Sequence, residues 1–188
     1  MSVDPAIRDH KAWLGYLQPD GLVVSPAALV DAQVLLDTNA APLQQRFLDY
    51  VEEIEDEGEV SAAITSLPEV LTGFLEWPEK CVAGLNGVPV PEDLKIPIKN
   101  FGETLEPTHA FRDPKAGDDA SPWMILIEEL PRGTDFDVAV ESADAGWSAS
   151  ATRRFEPLLR ESGVPIGLQC NGTQFRLSYA PRGENAGT

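Results

Sequence analysis

A chain of 188 residues, 43% hydrophobic and 24% charged, carries enough apolar material for one domain that buries roughly 70% of its unfolded surface, which excludes a disordered tail. Its 31 acidic residues against 14 Lys and Arg leave a net charge of −17, a balance that repels nucleic-acid phosphates unless the few cations cluster, and that suits solubility or a basic partner surface. Cys81 and Cys170 stand far apart, which excludes a zinc pattern and a disulfide framework, and the opening MSVDPAIRDHK lacks the apolar core of a signal peptide, so a soluble protein of a reducing cytoplasm is expected.

The first half reads as helical. Trp13 and Tyr16 in HKAWLGYLQPDGLVVSP read as a hydrophobic anchor for the N-terminus. Ser25 is a helix cap before Pro26, since proline suits a first turn whose amides need no partner. In APLQQRFLDYVEEIEDEG, Leu43, Phe47, Tyr50, Val51 and Ile54 recur at helical spacing, and Gly58 is the expected stop. The acidic run 52–59 then becomes the solvated end of that helix, without the alternating ligands of a calcium loop. Ser66 and Glu69 have the spacing of a capping box, opening a helix that ends before Trp77-Pro78.

Residues 84–100, GLNGVPVPEDLKIPIKN, are rich in Gly and Pro and connect a helical part, 1–83, to a mixed part, 101–188. Short edge strands fit inside this connection. Next come a short strand, THAF, a loop, FRDPKAGDDASP, and the apolar run WMILIEEL, which reads as a strand buried on both faces. An acidic loop follows over 131–146. SASATRRFEPLLRESG is a helix closed by Gly163, with Pro157 expected to kink or shorten it. The chain closes on a hairpin, with Asn171-Gly172 as a type I′ turn and Phe175, Leu177 and Tyr179 on the buried face. One compact α/β (α+β) domain is expected, its helical half packed on a small mixed sheet.

This order resembles a restriction-endonuclease-like, PD-(D/E)XK-like, core. That core needs two carboxylates to hold a divalent metal and a lysine to stabilise charge at the nucleophile. Here Thr108 stands after Pro107 where the first acid belongs, Glu128 keeps the second, and Leu130 replaces the lysine. The resulting expectation is a nuclease-like frame without a catalytic site or metal site. In the alternative, an active nuclease draws its carboxylates from Glu103, Asp113 and Glu128, with Glu128 as metal ligand. A second alternative is an acidic protein that imitates DNA and fills a basic groove.

Other motifs carry less. Asp113 to Gly117, DPKAG, is similar to the S-adenosylmethionine loop of methyltransferases but lacks its further glycine, and no second methyltransferase motif is present, so it reads as a proline turn. His10 and His109 read as surface or capping residues, and Ser142, Ser148 and Ser150 as loop or cap residues. Arg153, Arg154, Arg160 and Arg176 could form a basic face, but salt bridges to the acidic loop at 135–144 are the expected role.

Three blocks, WLGYLQPDGLVVSPAALVDAQ, FGETLEPTHAFRDP and RRFEPLLRESGVPIGLQCNGTQFRLSYAPRGENAG, together resemble the N-terminal region of large bacterial DNA methyltransferases. These are type IIG restriction–modification-like enzymes and the adenine-N6 methyltransferases of phage-defence systems of the DISARM type. The family has Leu-Thr-Asn-Gly at the closing hairpin, where this chain has Cys170 for threonine. The resemblance implies a noncatalytic domain that docks to a methyltransferase part or to other defence-system subunits. S-adenosylmethionine would belong to that parent enzyme, and no cofactor is expected for this chain. The methyltransferase part would follow after Thr188.

Overall fold

The computed structural model describes residues 26–31, 33, 39–56, 59–116, 122–139 and 148–183. The chain divides into two compact units, Met1–Asp49 with Thr188, and Tyr50–Gly187. In the first, two short helices are described, α1 (Pro26–Asp31) and α2 (Ala41–Phe47), the latter with proline in its first turn. The expectations for His10, Trp13, Tyr16, Ser25 and Ser142 lie outside the described residues.

The predicted helix over 41–58 is corrected. Helical geometry ends at Tyr50, and Val51–Asp56 is a strand, β1, paired antiparallel with β2 (Glu59–Ile64) from Val51↔Ile64 to Asp56↔Glu59. Val51 and Ile54 satisfy a helical period and also carry the β-branching that favours strands, and a partner strand decides between the two. The Tyr50 carbonyl accepts from the Thr65 amide at 2.9 Å and the Thr65 hydroxyl at 3.2 Å, which ties off the open end of the ribbon. Glu52, Glu53 and Glu55 are solvated, as expected, but on a strand.

The Ser66 half of the expected capping box forms. The Ser66 side chain accepts from the Glu69 amide and opens α3 (Leu67–Glu69), which continues as a π-turn through Phe74. This segment buries Leu67, Val70 and Leu71.

The second unit is built on a five-stranded mixed sheet of order β3-β6-β7-β8-β9. Its strands are Val82–Ala83, His109–Arg112, Trp123–Glu129, Ile166–Cys170 and Phe175–Tyr179. Neighbours are antiparallel except β7 and β8, which run parallel. A parallel pair needs a crossover, and α4 (Ala151–Ser162) supplies it. Ser150 caps α4 by accepting from the Arg153 amide at 3.3 Å, and Gly163 ends it. Pro157 does not shorten the helix, which runs on to Ser162. A separate two-stranded ribbon pairs β4 (Ile96–Ile98) with β5 (Glu103–Leu105), so the Gly/Pro-rich connection does contain an edge strand.

Phe155, Leu158 and Leu159 of α4 pack on Ala110, Leu126 and Ala180 of the sheet, with Leu94, Leu105 and Val164 completing the core. Gly167 allows this approach, because a Cβ there would lie 2.3 Å from Cε1 of Phe155 and 2.9 Å from Cδ1 of Leu159. Burying a side chain such as Phe155 stabilises the fold by about 1.5–3 kcal/mol. On the opposite sheet face Trp77 stacks on Phe111 with ring centroids 4.2 Å apart.

The sheet corrects three further expectations. β7 is fully buried only at Leu126 and Ile127, while Met124 is exposed. The closing turn is displaced by one residue. Asn171 N bonds to Gln174 O, and only Gly172, at φ +86°, has positive φ, so Gly172-Thr173 form the centre of a type II′-like turn. Asn171 instead uses Oδ1 to accept from the amides of Thr173 and Gln174 and from the Thr173 hydroxyl. The buried face of β9 is also the other one: Ser178 is buried beneath α4, while Phe175 and Leu177 are exposed. Among the described residues no helix is long and apolar enough to cross a membrane.

Candidate functional site

Antiparallel pairing of β6 with β7, and parallel pairing of β7 with β8, bring the start of β6 together with the ends of β7 and β8. Thr108, His109, Glu128, Glu129, Leu130, Gln169 and Cys170 therefore share one end of the sheet. The period of two along a strand splits them between faces, with Glu128 and Gln169 on the α4 side, and His109, Glu129 and Cys170 on the other.

Each position that would carry nuclease chemistry is otherwise engaged. The Thr108 hydroxyl accepts from the Glu129 amide at 3.0 Å, and the Leu130 amide donates to the Cys170 carbonyl at 2.7 Å. Both interactions knit strand ends together and offer no charge to a metal. Glu128 accepts from Nε2 of Gln169 at 2.7 Å. Burial pushes the Glu128 carboxyl above its ordinary 4.5, and the Gln169 amide offsets this only in part. Gln169 is fully buried and its Oε1 has no hydrogen-bond partner among the described residues.

The acids of the alternative nuclease reading are each committed elsewhere. Glu103 on β5 is ion-paired with Arg154 of α4. Asp113 accepts from the Lys115 amide at 2.8 Å and its own amide bonds to the Pro122 carbonyl, which makes the described part of that motif, Asp113–Ala116, a proline turn, as expected. Among the described residues no group of three or more His, Cys, Asp or Glu side chains is placed to hold a metal ion. Beside Thr108 a shallow cleft is lined by Pro89, Val90, Lys95, Glu106 and Pro107. Its one cation, Lys95, bonds to Glu92 at 2.6 Å and faces Glu106 at 3.6 Å. The bond to Glu92 holds the ammonium above its ordinary 10.5.

On the opposite face His109 corrects the expectation of a surface or capping residue. It is 4% exposed, and neither ring nitrogen has a hydrogen-bond partner among the described residues. Its Nε2 lies 3.7 Å from Oε2 of Glu129. Gly84 packs against it at φ +87°, where a Cβ would stand 2.2 Å from the Thr108 carbonyl and 2.8 Å from Nδ1 of His109. Cys170 lies next to Glu129 across the parallel pair. Burial pushes its thiol up, the Gly172 amide draws it down, and the Glu129 charge raises it again.

Three of the four candidate arginines are paired with acids. Arg176 pairs with Asp137 of the acidic loop, as expected, whereas Arg154 pairs with Glu103 and Arg160 with Glu156. Gln169 is the residue of this sheet end that sequence reasoning passed over, whereas His109 and Asn171 were read in other roles. The available signal was in PIGLQCNG, where a glutamine interrupts an apolar strand. A comparison of the chain with protein families, with curated proteins and with solved structures finds no match.

Proposed function

We propose that this chain is a noncatalytic, nuclease-like domain of a bacterial DNA-modifying system, of restriction–modification or phage-defence type, that acts by docking. Its partner is the methyltransferase part of that system or another of its subunits, and S-adenosylmethionine belongs to that partner. One observation carries the reading. At the sheet end where metal-dependent cleavage needs two carboxylates and an ammonium, the chain offers Thr108, Glu128 and Leu130, and Glu128 is bonded to Gln169 and favours its proton. The succession β6, β7, α4, β8 supports a nuclease-like frame, and the three sequence blocks support the type of system. A net charge of −17 favours a basic protein surface over direct DNA contact.

Calorimetric titration with Mg²⁺ and Mn²⁺, with Glu128→Ala as control, tests the reading. The expected result is no saturable heat in either protein. Saturable binding by the wild type that disappears in the control, together with metal-dependent cleavage of plasmid DNA, would overturn it in favour of an active nuclease.

A further inference from the structure

β9 forms one margin of the five-stranded sheet, with β8 as its neighbour among the described residues. In an antiparallel ladder, alternate residues turn their main-chain groups toward the neighbouring strand and away from it. Asn171 N bonds to Gln174 O at 3.3 Å, and Ala180 N bonds to Pro165 O at 2.8 Å. The bonded positions are therefore 174, 176, 178 and 180. The N–H and C=O groups of Phe175, Leu177 and Tyr179 point outward. The same residues carry apolar side chains, and Phe175 and Leu177 are 43% and 53% exposed.

Exposed strand edges are normally blunted by proline, by lysine or by a bulge. β9 has neither residue, and its pairing with β8 is regular from Phe175 to Tyr179. Its one charge, Arg176, is turned away onto Asp137 through two bonds, Nη1–Oδ1 at 2.5 Å and Nη2–Oδ2 at 2.8 Å. The strand FRLSY also holds no acid, in a chain that carries 31. A second copy can therefore approach here without bringing carboxylate against carboxylate in the ladder.

The sequence of the strand selects that occupant. Stepping outward from Leu177 in either direction gives a polar residue, Ser178 or Arg176, and then an aromatic one, Tyr179 or Phe175. A two-fold axis through Leu177 sets it opposite Leu177 of the second copy, and sets each Phe175 opposite a Tyr179. All three pairs fall at positions whose main-chain groups have no partner in the sheet among the described residues, so each can exchange two hydrogen bonds. We propose that β9 is a self-association edge, through which two copies join β9 to β9 in antiparallel register and continue one sheet across both molecules.

Sedimentation velocity of the full chain over a wide range of concentration tests this, with amide hydrogen exchange followed at Leu177. The expected result is a shift from one chain to two, with the Leu177 amide protected only as the dimer forms. Leu177→Lys and Leu177→Glu each put like charges opposite one another at the axis and are expected to weaken association by about tenfold or more. An equimolar mixture of the two is expected to restore it, because lysine then faces glutamate. A wild type that remains a single chain, a variant that associates like wild type, or a mixture that fails to recover would overturn the proposal. Should a variant fail to fold, exchange at Leu177 of the wild type still decides: no change with concentration refutes the pairing.

Discussion

Glu128 and Gln169 stand side by side on the two parallel strands, joined by a 2.7 Å bond from Nε2 to Oε2. The folded protein holds the Glu128 proton at a pH where the unfolded chain has released it. Stability from this group is complete below the ordinary value of 4.5 and is lost as pH rises through the elevated folded value. Glu128→Gln removes the titrating carboxyl and is expected to remove this component of the pH dependence. Glu128→Ala leaves both polar ends of a fully buried amide without partners and is expected to cost about 1–3 kcal/mol. Urea denaturation of the three proteins across the acid-to-neutral range measures both effects.

Asp137 gives the opposite sign. Its hydrogen bonds to Arg176 hold its carboxyl below the ordinary 3.8, against the opposing effect of desolvation. Its contribution is present above that value and is lost as pH falls through the depressed folded value. The pair is exposed, so Asp137→Asn is expected to cost no more than about 1 kcal/mol. Added salt is expected to shrink the difference further. Thermal melts at low and high ionic strength, above and below the titration, check this.

Gly167→Ala tests the helix–sheet contact. The new methyl group would overlap Phe155 and Leu159, both essentially buried, at distances that force the helix or the rings to move. Overpacking of this kind is expected to cost about 1–3 kcal/mol. A denaturation midpoint equal to that of wild type would mean that α4 sits further from β8.

Cys81 and Cys170 are both buried free thiols, and Cys170 is further disfavoured as thiolate. Neither is expected to react with a thiol reagent while the protein is folded, and both are expected to react once it is unfolded. Stopped labelling followed by mass spectrometry distinguishes the two states.

Elements governed by local chemistry were legible in the sequence. Ser66 with Glu69, Ser150 with Gly163, and the apolar run at 123–129 each announce an end or a core strand through a few neighbouring residues. What escaped depended on distant partners. Leu43, Phe47, Tyr50, Val51 and Ile54 fit a helix, and only the pairing of 51–56 with 59–64 turns their second half into a strand. Alternation in FRLSY shows that β9 has two faces, but the packing of α4 decides that Ser178, and not Leu177, is covered. Asn171 looked like a turn centre because of its type, yet its side chain is consumed by three bonds within the loop. At the candidate site, the absence of a carboxylate at Thr108 and of an ammonium at Leu130 could be read directly from the sequence. The burial of His109 could not, since Gly84 reaches it from the turn after β3 and Glu129 from β7.

The single crossover through α4 also governs the order in which the chain can assemble. The ribbons β1–β2, β4–β5 and β8–β9 each join segments close in sequence and can close early. Leu126 meets Gly167 only after the intervening chain, α4 included, has folded back across the sheet. Closing that long loop is entropically costly before its contacts form, so the joining of β7 to β8 is the step that should limit the rate. Substitutions at Leu126 or Phe155 would then slow folding, whereas changes in the β1–β2 ribbon would chiefly hasten unfolding.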